Sequence, residues 1–479
     1  MSETVLSRNY SVVLKNFLSY LPSRLIVIFN ALFIVPIFAY FLTAQEMSVF
    51  QISIGILNFV CTVSTDWVAK SVLRFYEKYR QINETDKFFS SIAFIELVLL
   101  ALIFAYYFIF KGLIAEKFYI SNRIFLITLI LVVPCGIRQM LYQMLRLYRK
   151  SFLYTVSIVI YQISLLLLFF AFSIFAENVI SILMAMTFGI CLIDFIILLK
   201  IKMKEKVNFK IDKEILKNIL IYAIPMLLTN VCIWLILHFG KFVFQFNKDF
   251  VSTAVVGTAW YFVTSILTPL FSLLMFAVFP VIIKRFEKNY KIKEFMSAVL
   301  NSYIIIFLPF VFVFIFYFFE IAKFAFKSEY NNIGILFPFC AVTVFIHELM
   351  KLMNTKYHLK NKTYIETLIS VITAIVCVVL NIILIKYFSV LGFGIAMVIS
   401  VVLLYLANSL VKFKYLDYVF PKKIFKCMLK SVLCAVISYA IIFPIFFKLQ
   451  YTGVIIFKII AFLSLYYLIV QKFKKHIFV

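Results

Sequence analysis

Apolar runs of about twenty residues, each bounded by clusters of charged residues, recur along almost the whole chain. One run of this length is what a helix needs to cross the hydrocarbon core of a bilayer. The runs consist of Leu, Ile, Phe and Val without a two-residue alternation of polar and apolar positions, so they predict helices and not barrel strands. The fourteen predicted spans are 21–43, 47–69, 89–110, 124–143, 152–175, 179–199, 216–239, 251–283, 296–319, 331–350, 364–385, 389–411, 427–447 and 452–471.

Composition supports this interpretation. The 479 residues are 65% hydrophobic and only 14% charged, whereas soluble domains are about 25% charged. The sequence therefore predicts an all-α polytopic integral membrane protein. Its polar N-terminus lacks the pattern of a cleaved signal peptide, and its eight cysteines are scattered singly, so we expect neither disulfides nor a metal.

The net charge of +26 could indicate nucleic acid, anionic lipid or the positive-inside asymmetry of a multispanning protein. When the loops are assigned to alternate sides, 36 of the 47 Lys and Arg residues fall on one side and nine on the other, with two inside spans. This distribution predicts that both termini are cytoplasmic. It also argues against nucleic-acid binding, because the cations are spread over every cytoplasmic loop instead of forming one stripe.

The predicted loops are short, and the sequence lacks phosphate-loop, HExxH, CxxC and GxSxG motifs. We therefore expect a transporter without a cofactor rather than an enzyme. Pro22 and Pro225 stand at equivalent places in the first and seventh spans. That spacing predicts six-helix lobes at 1–205 and 206–415, followed by two appended helices at 416–479, although coincidence explains the two prolines equally well.

Cations inside the predicted spans are the main functional signal, because a charge in hydrocarbon is costly unless it faces a cavity or reaches the headgroups. Arg138 lies deep in its span, near Pro134 and Gly136. Arg24 either snorkels or lines a polar face, and Lys241 either points inward or belongs to an exposed loop. Deep cations suit an anionic headgroup such as a lipid-linked phosphate or pyrophosphate.

Three acids are candidates for ion coupling. Asp66 and Lys70 share a helix face at i, i+4, where they form either a structural ion pair or part of the substrate site. Glu96 and Asp194 lie deeper in their spans. Each could bind a coupling ion, or could be a neutral acid bonded to a neighbouring helix.

Two stretches carry a resemblance to a known family. The segment DWVAKSVLRFYEKYR ends the second span, and YAIPMLL leads to VVGTAWYFVTSILTPLFSLLMFAVFPVI in the seventh and eighth spans. With the layout of the spans, they resemble the bacterial polysaccharide flippases of the multidrug/oligosaccharidyl-lipid/polysaccharide superfamily. Many relatives carry an Asp-Arg pair where this sequence has Gly240 and Lys241, and lysine lacks the planar fork that binds phosphate through two parallel hydrogen bonds.

The resemblance implies two six-helix bundles around a cationic cavity in the bacterial inner membrane. It implies that an undecaprenyl-pyrophosphate-linked oligosaccharide is moved to the outer leaflet for O-antigen or capsule synthesis, driven by H+ or Na+ and in association with polymerase machinery. On this interpretation Arg24, Arg138, Lys241 and Lys70 bind pyrophosphate, and Asp66, Glu96 and Asp194 bind the coupling ion. The alternatives are an ion-coupled multidrug or cation antiporter and a membrane polysaccharide polymerase.

Overall fold

A computed structural model describes residues 2–148, 150–201, 211–287, 292–330, 332–360, 362–411, 422–446 and 454–477. Its main elements in those ranges are fifteen α-helices. They are α1 (Ser2–Phe41), α2 (Ala44–Cys61), α3 (Trp67–Gln81), α4 (Thr85–Phe118), α5 (Asn122–Leu147), α6 (Ser151–Phe172), α7 (Asn178–Lys200), α8 (Lys213–Phe246), α9 (Phe250–Glu287), α10 (Ile292–Phe316), α11 (Phe318–Ala325), α12 (Ile333–Leu359), α13 (Thr363–Leu410), α14 (Lys422–Phe446) and α15 (Ile455–Ile477).

Within the described residues, twelve helices are long and apolar enough to cross a membrane. The longest, α13, has 48 residues and breaks at Ser389, where φ is 49°, so it accounts for two predicted spans. A shorter apolar helix at Ile455–Gln471 accounts for the last one. The prediction of an all-α polytopic membrane protein is confirmed. Parts of the two longest predicted loops, at 202–210 and 412–421, lie outside the described residues.

The chain divides into two compact units. Unit 1 comprises Met1–Tyr40, Thr258–Lys362 and Ile383–Val479. Unit 2 comprises Phe41–Gly257 and Thr363–Ile382. The lobes at 1–205 and 206–415, with appended helices at 416–479, stay a prediction.

In unit 1, α10 packs against α12, α14 and α15. Pro309 lies inside α10 and has no N–H, so the carbonyl of Ile305 loses its intrahelical donor. The fully buried Tyr466 of α15 donates its hydroxyl to that carbonyl at 3.2 Å. The neighbouring Tyr467 donates to the carbonyl of Ile306 at 2.7 Å. Two side chains of α15 therefore hydrogen-bond to α10 at the proline.

In unit 2, α5 packs against α2, α3 and α7, while α8 packs against α2, α3 and α4. Between α2 and α3 the second span contains a π-helical turn, Thr62–Asp66. Two of its side chains hydrogen-bond to backbone carbonyls of the preceding turn. Ser64 Oγ donates to Val60 O at 2.7 Å, and Thr65 Oγ1 donates to Cys61 O at 3.1 Å. Such bonds compete with the regular helical ladder and favour a local change of register. Trp67 Nε1 donates to Val63 O at 2.7 Å, which satisfies a third carbonyl in the same turn.

Candidate functional site

The π-helical turn brings the second span close to the middle of α5. A Cβ added at Gly136 would lie 2.6 Å from Thr65 Cγ2, so only glycine allows the two backbones this approach. Pro134 lies two residues earlier in the same helix. The helix segment that carries Arg138 is therefore held directly against the π-helical turn that carries Asp66. Isolated π-helical turns inside α-helices are frequent at functional sites.

Arg138 lies half-buried on α5 and points toward neighbouring helices of unit 2. Its guanidinium carbon lies 5.0 Å from the ring centroid of Tyr161 on α6, within the range of a cation–π interaction. Its Nη2 lies 3.9 Å from the sulfur of Cys135. These contacts occupy one face of the guanidinium and one of its nitrogens. The Tyr161 hydroxyl also hydrogen-bonds to the guanidinium. A guanidinium has five N–H donors in a planar fork, a geometry that suits a phosphate or a carboxylate.

Asp194 on α7 is only 5% exposed, and neither carboxylate oxygen has a hydrogen-bond partner among the described residues. Arg138 is its oppositely charged neighbour. A buried carboxylate without hydrogen bonds is costly, and the nearby guanidinium offsets part of that cost. The structure therefore brings two of the predicted site residues together, one from the substrate group and one from the ion-coupling group.

We group Asp66 with this pair, because Asp66 and Arg138 both interact electrostatically with the thiols of Cys61 and Cys135, and we define the acid–arginine cluster as Asp66, Arg138 and Asp194. Asp66 faces the side chains of Thr62 and Gln139, and its Oδ1 is buried without a hydrogen-bond partner in the described part of the chain. Lys70 is its cationic neighbour, as the i, i+4 spacing predicts. Lys70 also donates from Nζ to Asn230 Oδ1 on α8 at 3.3 Å, so it links the cluster to that helix.

Two predicted residues lie apart from the cluster. Glu96 on α4 is half-buried, its Oε1 has no hydrogen-bond partner, and no charged neighbour accompanies it in the described part of the chain. Arg24 on α1 is half-buried and belongs to unit 1, whereas the other six candidates belong to unit 2. Their roles in substrate binding and ion coupling stay predictions.

Lys241 lies inside α8 and is 4% exposed, so it is not part of an exposed loop. Its Nζ donates to the backbone carbonyl of Gln51 on α2 at 2.8 Å. The ammonium fits there because Gly55 has no side chain: a Cβ at that position would lie 2.9 Å from Nζ. No acid of the described residues lies within ion-pair distance of Lys241. A buried ammonium without a counterion is costly, which marks Lys241 as a candidate functional group.

Three polar residues on α8 near Lys241 were not singled out by sequence reasoning. Asn230, Trp234 and Gln245 share the helix face of His238 and Lys241 at intervals of three and four residues. This spacing is visible in the sequence. An apolar span with one polar stripe is the signal that predicts a face turned toward protein or a cavity instead of lipid.

Two other charges of the spans have local partners in unit 1. Lys458 on α15 donates to Glu320 of α11 at 2.9 Å. Glu348 is 3% exposed and accepts from Lys351 at 2.6 Å. These ion pairs account for both groups as elements of the fold.

No family model and no curated protein sequence matches this chain. Among solved structures it is similar to the lipid II flippase MurJ in an inward closed conformation, with a TM-score of 0.72 and 19% identity over 96% of this chain and 99% of that one. It is also similar to a mutant form of the MATE transporter VcmN of Vibrio cholerae (TM-score 0.55, 13% identity, 85% and 97% of the two chains). A third structure is an inward-facing multidrug resistance MATE transporter of the MOP superfamily (TM-score 0.53, 13% identity, 84% and 93%).

The chain has the fold of MOP-superfamily transporters. The similarity to MurJ extends over nearly the full length of both proteins, which places the whole membrane domain within this fold. The proteins that share this fold are named as a flippase and as transporters.

Proposed function

We propose that this chain is a flippase of the bacterial inner membrane that moves an undecaprenyl-pyrophosphate-linked oligosaccharide to the outer leaflet for surface-polysaccharide synthesis. Transport proceeds by alternating access, and both termini are cytoplasmic. The observation that carries the proposal is the half-buried Arg138, deep in its span and beside Asp194, in a chain that shares its fold with a lipid II flippase.

The chemistry of the acid–arginine cluster supports an anionic substrate. Arg138 can bind a pyrophosphate through two parallel charge-assisted hydrogen bonds, which a neutral drug cannot form. Lys70 and Lys241 of unit 2 supply further positive charge, and Arg24 of unit 1 stays a candidate pyrophosphate ligand. Because Asp194 lies beside Arg138, the carboxylate and the pyrophosphate compete for one guanidinium.

That competition couples ion binding to transport. When a proton or Na+ neutralises Asp194, the carboxylate no longer attracts Arg138, and the guanidinium is free for pyrophosphate. By linkage, pyrophosphate binding then favours the ion-bound form of Asp194 by the same factor. Asp66, beside Lys70 on the second span, provides a second ion-binding carboxylate, and Glu96 provides a third.

The test is export of the surface polymer in a strain that lacks this chain, together with an assay of which leaflet holds the lipid-linked oligosaccharide. Arg138→Ala should reduce flipping about tenfold or more, since it removes charge-assisted hydrogen bonds. Arg80→Ala is the matched control, because its exposed pair with Glu77 contributes little. Full export by the Arg138→Ala protein at normal abundance would overturn the role of Arg138, and normal flipping in the deletion strain would overturn the proposed function.

The second candidate is an ion-coupled multidrug or cation antiporter. The unpartnered carboxylate oxygens of Asp66, Glu96 and Asp194 in the described structure favour it, as does the shared fold with MATE transporters. Efflux of ethidium from cells separates the two candidates. Efflux that survives Arg138→Ala and is lost in Asp194→Asn would support the antiporter. Absence of efflux with loss of polymer export would support the flippase.

A further inference from the structure

One face of α8 carries a line of four polar side chains, and the proposed function gives a role only to the last of them, Lys241. We name it the α8 donor stripe and define it as Asn230, Trp234, His238 and Lys241. Their spacing of four, four and three residues places all four on the same side of the helix. At 1.5 Å per residue, the stripe is about 16 Å long.

Contacts within unit 2 show what the stripe faces. Asn230 Oδ1 accepts from Lys70 Nζ on α3 at 3.3 Å. The ring of Trp234 packs on Phe59 of α2, with centroids 4.8 Å apart. Lys241 reaches Gln51 O on α2. The stripe therefore runs along the second span, with Lys241 at one end and Lys70 of α3 in contact with the other end.

The stripe offers donors that lack acceptors in this conformation. Trp234 Nε1 and Asn230 Nδ2 are buried and have no hydrogen-bond partner in the described structure. Lys241 carries three protons and donates to one recorded acceptor, Gln51 O. A buried indole N–H ordinarily finds a partner, as Trp67 Nε1 does on Val63 O. A buried donor without an acceptor destabilises the conformation in which it occurs. Two such donors on one helix face therefore point to a ligand that supplies the acceptors in a different conformation of the protein.

From these contacts we infer that the α8 donor stripe binds the glycan part of the lipid-linked substrate once α2 and α8 separate. This inference rests on the proposed function. Sugar hydroxyls and acetamido carbonyls supply the acceptors that Asn230 and Trp234 lack, and the lysines at the two ends bind phosphate oxygens. An apolar or cationic drug has few such acceptors, so the stripe selects for an oxygen-rich ligand. In the present conformation the ring of Phe59 covers Trp234.

The test measures binding of two probes to the purified full-length protein in nanodiscs. The probes are undecaprenyl pyrophosphate and undecaprenyl pyrophosphate carrying one N-acetylglucosamine. Trp234→Phe keeps an aromatic ring and removes the N–H, and Asn230→Leu removes the amide. Each should weaken binding of the glycan-bearing probe about fivefold, as loss of one or two hydrogen bonds does, and leave binding of the bare probe within about twofold.

Trp67→Phe is the matched control, since it removes an indole N–H that already has an acceptor. It should lower the melting temperature and leave the ratio of the two affinities unchanged. Trp234→Phe should instead melt at or above the wild-type temperature, because in the described structure its N–H has no partner to lose.

The outcomes separate the two proposals. If the wild-type protein binds neither probe, the proposed function fails. If it binds both, and Trp234→Phe and Asn230→Leu leave the affinity ratio unchanged, the proposed function stands and the glycan site is refuted. Failure of both variants to fold would also refute it, because the donors would then serve the fold.

Discussion

Gly55 of α2 and Lys241 of α8 form a contact that a single methyl group added at Gly55 would disrupt. In Gly55→Ala the new Cβ would lie 2.8 Å from Lys241 Cε and 2.8 Å from Phe242 Cζ. Real Cβ atoms essentially never approach a neighbour this closely. The lysine end is flexible and can swing away, but in doing so it gives up the 2.8 Å hydrogen bond to Gln51 O.

The expected cost combines two effects. Losing a hydrogen bond from a charged donor in the interior costs about 1.5–3 kcal/mol. Forcing the ring of Phe242 to shift adds overpacking strain of about 1–3 kcal/mol. Because the lysine relieves part of the crowding when it moves, we expect Gly55→Ala to lower the free energy of unfolding by about 2–4 kcal/mol.

Equilibrium unfolding by SDS in mixed micelles measures this loss. Gly112→Ala on α4 is the matched control, since a Cβ there meets nothing within 4 Å, and its stability should stay at the wild-type value or rise by up to about 1 kcal/mol from the gain in helix propensity. A double-mutant cycle with Lys241→Ala isolates the lysine contribution. In that background Gly55→Ala should cost at least about 1.5 kcal/mol less, because the hydrogen bond is already absent.

Unfolding of Gly55→Ala at the wild-type SDS concentration would refute the close contact between Gly55 and Lys241. An equal loss in the free energy of unfolding with and without Lys241 would also refute this contact, because the ammonium would then not occupy the space that Gly55 leaves.

Three further variants test other features. Lys241→Met should be at least as stable as the wild-type protein, because it removes a buried charge that has no counterion among the described residues. It should also lose flipping in the leaflet assay, and retained flipping would contradict a role for this charge in transport. Asp194→Asn should make flipping in proteoliposomes independent of an imposed ion gradient. A gradient dependence equal to that of the wild-type protein would show that Asp194 does not couple ion binding to transport. Tyr466→Phe should cost about 1–3 kcal/mol by SDS unfolding. Pro309→Ala, which restores an N–H for Ile305 O, should reduce that cost, and an unchanged cost would contradict the tyrosine–proline arrangement.

The helical segments could be located from the sequence because the cost of placing a polar chain in hydrocarbon is local. Each apolar run must be long enough to cross the bilayer, and its backbone must satisfy its own hydrogen bonds. Over the residues that the structure describes, each of the fourteen predicted spans coincides with an apolar helix, and α13 contains two of them. The burial of Lys241 stayed open between an inward and a loop position, because its signal in the sequence is the polar stripe along α8 and not the residues that follow it.

Which charges meet was decided only by the tertiary structure. Asp66, Arg138 and Asp194 come from three spans far apart in the chain, and their approach depends on the rotation of each helix about its axis. The π-helical turn at Thr62–Asp66 sets that rotation for the second span, and Gly136 sets how closely α5 approaches it. The sequence by itself determined the membrane class, the spans and the predicted sidedness, because hydrophobicity and charge act on each segment separately. The grouping of the charges required helix packing, because it depends on side-chain volumes at contacts between distant segments.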